Sequence, residues 1–133
     1  MTSKIAGEGD TDGWHYDSNE VVFSILLQEA DEGGEFEYLP NIRTPGEENY
    51  DIITKAFQDS GPYSKRFKIK PGTRVMFKGI SSLLRVTPVI GDRPRIVALF
   101  SYHTEPGHVN GQEYISLVHS QMPAPGISLA GTV

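Results

Sequence analysis

The chain is cut at short intervals by turn-forming pairs: Gly33-Gly34, Pro45-Gly46, Gly61-Pro62, Pro71-Gly72, Gly91-Asp92 and Pro106-Gly107. Long helices cannot be threaded through such punctuation, because proline removes a backbone donor and glycine adds conformational freedom. The segments between the pairs are rich in β-branched and aromatic residues, which suit strands. The pattern predicts strands at about 20–28, 34–40, 64–70, 73–79, 83–89 and 94–102, and therefore an all-β sandwich or barrel. One segment reads as a short helix over 45–58. Thr44 is its candidate N-cap and Pro45 its first residue, with Glu47 and Glu48 in the first turn, where the helix dipole favours acids. Tyr50, Ile53 and Phe57 follow at helical spacing, and Asp59-Ser60-Gly61-Pro62 ends it. At 133 residues the chain fits one domain with a sizeable core. That domain is expected over 1–119. Residues 120–133 are small, uncharged and contain proline and glycine, the composition of a flexible C-terminal tail.

Composition narrows the function. There are no cysteines, which excludes disulfides, thiolate catalysis and cysteine-held metals. The net charge is −5, and the one basic run is Lys65-Arg66-Phe67-Lys68-Ile69-Lys70, so no nucleic-acid partner is expected. No apolar run approaches the ~18 residues that cross a membrane. Met1 to Gly7 carries no apolar signal segment, and the expected location is cytoplasmic.

The first chemically suggestive pattern is His15-Tyr16-Asp17. On an extended segment, residues two apart share a face, so an imidazole and a carboxylate project together and can ligate one divalent metal or exchange a proton. There is no G-x-S-x-G, no P-loop and no dinucleotide glycine fingerprint.

The surrounding blocks carry more. Gly13-Trp14-His15-Tyr16-Asp17-Ser18-Asn19-Glu20 runs into Val21-Val22-Phe23-Ser24-Ile25-Leu26-Leu27-Gln28, followed by Gly33-Gly34-Glu35-Phe36-Glu37-Tyr38-Leu39-Pro40-Asn41-Ile42-Arg43. Pro71-Gly72-Thr73-Arg74-Val75-Met76-Phe77-Lys78-Gly79, Ser82-Leu83-Leu84-Arg85-Val86-Thr87-Pro88-Val89 and Gly91-Asp92-Arg93-Pro94-Arg95-Ile96-Val97 come later. From about residue 5 to 107 this order resembles the Fe(II)/2-oxoglutarate-dependent oxygenases. The nearest branch is that of the prolyl hydroxylases and the free-amino-acid hydroxylases and halogenases. The resemblance implies a double-stranded β-helix, a cupin-like jelly-roll, and a small-molecule substrate oxidised at the expense of 2-oxoglutarate. It implies a His, an Asp and a second His around iron, with open positions for co-substrate and oxygen. His15 and Asp17 match the first two ligands and would be the catalytic centre. Arg95 matches the residue that holds the distal carboxylate of 2-oxoglutarate; its planar fork suits a carboxylate. Arg93, nearer the turn, is the weaker match.

The second histidine is replaced. Its place, directly ahead of Arg85-Val86-Thr87-Pro88-Val89, holds Leu84, which has no lone pair for a metal. Iron and 2-oxoglutarate are therefore expected to bind weakly or not at all. Halogenases of the branch work without the carboxylate but keep both histidines. An alternative follows: a repurposed barrel that binds a small ligand or catalyses a non-oxidative cyclisation or isomerisation, with His15 and Asp17 as acid and base and Leu84 in an apolar wall. A third reading is an inactive, partner-binding member. His103 lies roughly 26 Å along an extended strand from Arg95, and His103, His108 and His119 read as surface histidines. Trp14 reads as core, while Glu35, Glu37 and Asn41 read either as a pocket border for an amine or as solvated surface. Members of the branch carry helices and a strand ahead of the His-x-Asp block, where this chain has fourteen residues. That difference leads to the expectation of bare apolar surface and a homodimer.

Overall fold

The computed structural model describes residues 1–109. His119 and the tail expected over 120–133 lie outside them. Ten strands and one helix are present among the described residues: β1 (Thr2–Ala6), β2 (Asp12–His15), β3 (Val21–Gln28), β4 (Glu32–Gly33), β5 (Phe36–Leu39), α1 (Tyr50–Gln58), β6 (Lys65–Phe67), β7 (Arg74–Phe77), β8 (Leu83–Val86), β9 (Val89–Ile90) and β10 (Arg95–Tyr102). They build two four-stranded antiparallel sheets, β1-β10-β3-β7 and β2-β8-β5-β6, with β4 and β9 as a small separate ribbon.

Alternation along each strand sorts the side chains. Val22, Ser24 and Leu26 of β3 are buried while their neighbours are not, and Val97 of β10 stands across from Leu26. In the second sheet, Phe36, Leu84 and Val86 are buried and share a face with Tyr38, because Phe36 pairs with Val86 and Tyr38 with Leu84. Phe36 meets Phe77 of the first sheet with ring centroids 5.3 Å apart, so these two faces look at each other across the interior. The opposite face of the second sheet receives α1. Leu39, Ile42, Leu83 and Ala56 form a buried cluster there, flanked by Trp14, Tyr16 and Ile53. A side chain such as Leu39, fully removed from water, contributes about 1.5–3 kcal/mol.

The helix begins later than the sequence suggests, at Tyr50 rather than 45. Thr44 and Glu47 exchange backbone hydrogen bonds across Pro45-Gly46, so proline serves a turn instead of opening the helix. Asn49 then takes a left-handed conformation (φ 52°, ψ 43°) with its side-chain amide donating to the Ile42 carbonyl at 2.6 Å. That bond docks the turn and delays helix entry. The strand expected over 83–89 is split at Thr87-Pro88, where proline cannot extend the ladder. Gly33 explains why the β4–β9 ribbon can form. Its φ is +66°, and a side chain there would stand 2.0 Å from the Pro88 carbonyl oxygen.

Two strands precede the ones predicted. β1 is mostly polar and sits at a sheet edge, and β2 carries the His15 block. The outer face of the first sheet is apolar: Phe100, Phe23 and Met76 stand in one row, with Ile5 across from Ile96 beside it. Met76 and Ile5 are exposed. No helix among the described residues is long and apolar enough to cross a membrane.

Candidate functional site

β2 delivers His15 to the interior side of its sheet, because His15 pairs across the strand with Leu84. The His15 ring nitrogen Nδ1 lies 2.7 Å from the Gly13 carbonyl, so it carries the proton and donates. The lone pair is thereby left on Nε2, which faces Asp17 Oδ1 at 3.5 Å. This is the arrangement of a metal-ready imidazole, its tautomer set by a backbone acceptor. Two ligands on one ion with bonds of about 2.0–2.2 Å stand roughly 3–3.5 Å apart, which is the separation found. Burial opposes charge on the His15 ring. Asp17, the Gly13 carbonyl and Asp12 outweigh it, and the ring titrates above its ordinary 6.5.

Asp17 is held by its surroundings. Its backbone N–H donates to the Gly79 carbonyl at 3.1 Å, and Gly79 N–H donates to the Glu20 carbonyl at 3.2 Å. A side chain at Gly79 would come within 2.6 Å of Asp17 Cβ and 2.7 Å of the Asn19 carbonyl. Glycine at 79 thus sets how closely β7's exit passes under the loop that carries Asp17.

Leu84 is 5% exposed and lies between His15 and Tyr38 on the interior face. His15, Asp17 and an aliphatic side chain do not make a three-residue iron site. The donor set offers a metal two protein ligands.

Arg95 opens β10, where it pairs with Ala6 of β1. It is 6% exposed, and its Nε is buried with no hydrogen-bond partner among the described residues. Burial lowers its pKa, and the negative charge of Asp12 only partly offsets that. A buried guanidinium without a carboxylate costs free energy unless something anionic arrives. Arg93 is different: its guanidinium faces Glu29 and Asp31 and donates to the Ala30 carbonyl at 3.2 Å. Of the two arginines, Arg95 is the one with no ion pair among the described residues. It lines a narrow cleft with Leu26, Lys68 and Ile69, whose rim also carries the acids Glu29, Asp31, Glu32 and Glu35. Ile69 also borders an open hollow of about 330 Å³ walled by Phe36, Tyr38, Phe67 and Phe77. Its aromatic lining, with few polar groups, suits a small organic molecule.

The other residues singled out in the sequence divide. Trp14 packs on the opposite face, stacked on Phe57 and lying under the Arg85 guanidinium at 4.7 Å. Glu37 also points there, 1% exposed and bonded to Ser64, Arg66 and Arg85. It is a fold element, not a pocket border. The Glu35 backbone N–H donates to the Thr87 hydroxyl at 2.9 Å, and the Asn41 N–H donates to the Ser82 hydroxyl at 3.2 Å. Sequence reasoning left His103 and His108 as unrelated surface residues. The structure brings them together with Glu105, and the spacing His-x-Glu-x-x-His was the signal available.

No curated protein sequence matches the chain. A sequence model of the family described as Halogenase D (HalD) matches residues 1–114, which is compatible with the non-heme iron oxygenase and halogenase branch, and the chain belongs to that family.

Proposed function

We propose that the protein is an oxygenase-like member of its family, folded as a double-stranded β-helix, that binds 2-oxoglutarate through Arg95 and acts on or holds a small molecule. The observation that carries the reading is the buried Arg95, whose Nε is unpartnered among the described residues. A carboxylate meeting a guanidinium fork forms paired charge-assisted hydrogen bonds, which such a site lacks when empty of ligand. His15 and Asp17 stay available as two metal ligands, and with Leu84 opposite they hold iron weakly.

Calorimetric titration of 2-oxoglutarate into the wild type and into Arg95→Met tests this. Binding is expected in the wild type and roughly 10- to 150-fold weaker in the variant, in keeping with the 1.5–3 kcal/mol typical of charged hydrogen bonds. The melting temperature of Arg95→Met is expected to stay level or rise, because the arginine Nε satisfies nothing in the fold. Equal affinity in both forms would remove Arg95 from the ligand site.

A second reading rests on the His15–Asp17 contact at 3.5 Å. The pair can move a proton on a bound ligand without metal, with Leu84 as apolar wall. Turnover that persists without iron, oxygen and 2-oxoglutarate selects it. In either case the apolar outer face of β3, β7 and β10 leads us to propose a homodimer. Light scattering is expected to give twice the 14.7 kDa chain mass at micromolar concentration, and the single-chain mass would count against it.

A further inference from the structure

β10 ends at Tyr102, and the chain turns back at once through His103-Thr104-Glu105-Pro106-Gly107-His108. The His108 N–H donates to the Glu105 carbonyl at 3.3 Å, and Gly107 takes φ 78°. The Glu105 N–H donates to His103 Nδ1 at 3.2 Å, which leaves the neutral ring's proton on Nε2, so His103 binds a metal only by giving up this bond or that proton. The two imidazoles lie face to face, centroids 3.7 Å apart and planes 6° from parallel. One donor atom from each of His103, Glu105 and His108 falls within 4.8 Å of the others. Thr104 anchors the turn by donating to the Glu20 carboxylate at 3.0 Å.

We propose that His103, Glu105 and His108 form a binding site for a divalent metal of the zinc class, separate from His15 and Asp17. Two imidazoles and one carboxylate are the donors that Zn(II), Co(II) and Ni(II) prefer, and three protein ligands leave a position for water. Magnesium and calcium favour oxygen-rich sites and are disfavoured by two nitrogens. Ligand atoms on one such ion stand roughly 3–3.5 Å apart, so a pair at the 4.8 Å limit must close by about 1.3–1.8 Å and the two stacked rings must turn out of their parallel arrangement. Glu105 and His108 are exposed and can make that change by side-chain rotation. The placement adds a consequence. Thr104 holds Glu20, the Glu20 carbonyl accepts from Gly79, and the Gly79 carbonyl accepts from Asp17. The turn therefore sits at the same end of the fold as the His15–Asp17 pair, and a metal there braces the loop that carries Asp17.

Zinc titrated by calorimetry into the metal-stripped full chain at neutral pH tests the site. One equivalent is expected to bind wild type and His15→Ala alike, at least tenfold weaker in His103→Ala/His108→Ala, and weaker in Glu105→Gln. Magnesium is expected to give no binding. Zinc should also raise the melting temperature of wild type and His15→Ala but not of the double variant. Absence of zinc binding in the wild type, unchanged affinity in the double variant, or loss of the site in His15→Ala overturns the proposal.

Discussion

Replacing Leu84 by histidine is expected to raise the affinity for Fe(II) or Mn(II) at least tenfold, about 1.4 kcal/mol. Leu84 stands directly across β2–β8 from His15 and is buried on the same face. An imidazole placed there adds a third donor to His15 and Asp17, whose atoms already stand a ligand–ligand distance apart. The gain is held down by the cost of burying a polar ring when no metal is present, since an unpaired polar group in an apolar setting is unfavourable. For the same reason metal-free Leu84→His should melt below the wild type, and metal should restore the difference. Mn(II) titration in a His103→Ala/His108→Ala background keeps the turn cluster out of the measurement. Identical affinities with leucine and histidine at 84 would separate this position from the metal site.

The second large effect lies one residue further along β8, on the other face. Arg85 Nε donates to Glu37 at 2.7 Å, and the guanidinium covers Trp14. Burial alone would raise the Glu37 pKa. Hydrogen bonds from Ser60, Ser64 and Arg85, with the charge of Arg85, more than reverse this and hold it at about 2 against an ordinary 4.5. Arg85→Ala strands a carboxylate that is 1% exposed, leaving it the Ser60 and Ser64 hydroxyls and half-exposed Arg66 at 3.3 Å. Breaking such a pair is expected to cost about 3–4 kcal/mol, a fall in melting temperature on the order of 10 °C for a chain of this size. The pH dependence has a fixed sign. A carboxyl whose pKa is depressed by folding stabilises the fold fully above its unfolded value and loses that contribution as the pH falls through the folded one. Glu37 should therefore contribute about 3 kcal/mol at neutral pH, lost progressively from about pH 4.5 toward pH 2. Denaturant melts across that range give the slope. Glu37→Gln should flatten it, and an unchanged acid limb would assign the effect to other carboxylates.

Much of the β architecture was legible because it depends on local chemistry. Val21 to Gln28 and Arg95 to Tyr102 alternate or run apolar between turn residues, and both are strands. β1 was invisible because Thr2-Ser3-Lys4-Ile5-Ala6 has a single large apolar residue, and its strand state comes from pairing with β10. The helix start was misread because Pro45 is as suitable for a turn as for a first helical residue. The choice was made by the Asn49 side chain reaching Ile42, a contact no local pattern encodes. At the site, the His15–Asp17 pairing followed from strand geometry, and Leu84's position beside it followed from resemblance. The isolation of Arg95 could not be read, since Arg93 two residues earlier has the same chemistry and differs only in having Glu29 and Asp31 within reach. Glu37 was equally opaque: its role depends on Ser64 and Arg85, distant in sequence and adjacent only across β5, β6 and β8.

β8 carries Leu84 and Arg85 on opposite faces, and the Arg85 side adds its own grip on the strand through Glu37 and Trp14. The backbone at 84 is thus held in part by contacts that do not involve the residue 84 side chain. Every histidine codon differs from a leucine codon by one base at the middle position. The change that separates this chain from a three-donor site is a single residue, and one base where leucine 84 is encoded by CUU or CUC. A small library randomised at position 84 therefore samples the transition between a two-donor and a three-donor site with the rest of β8 unchanged.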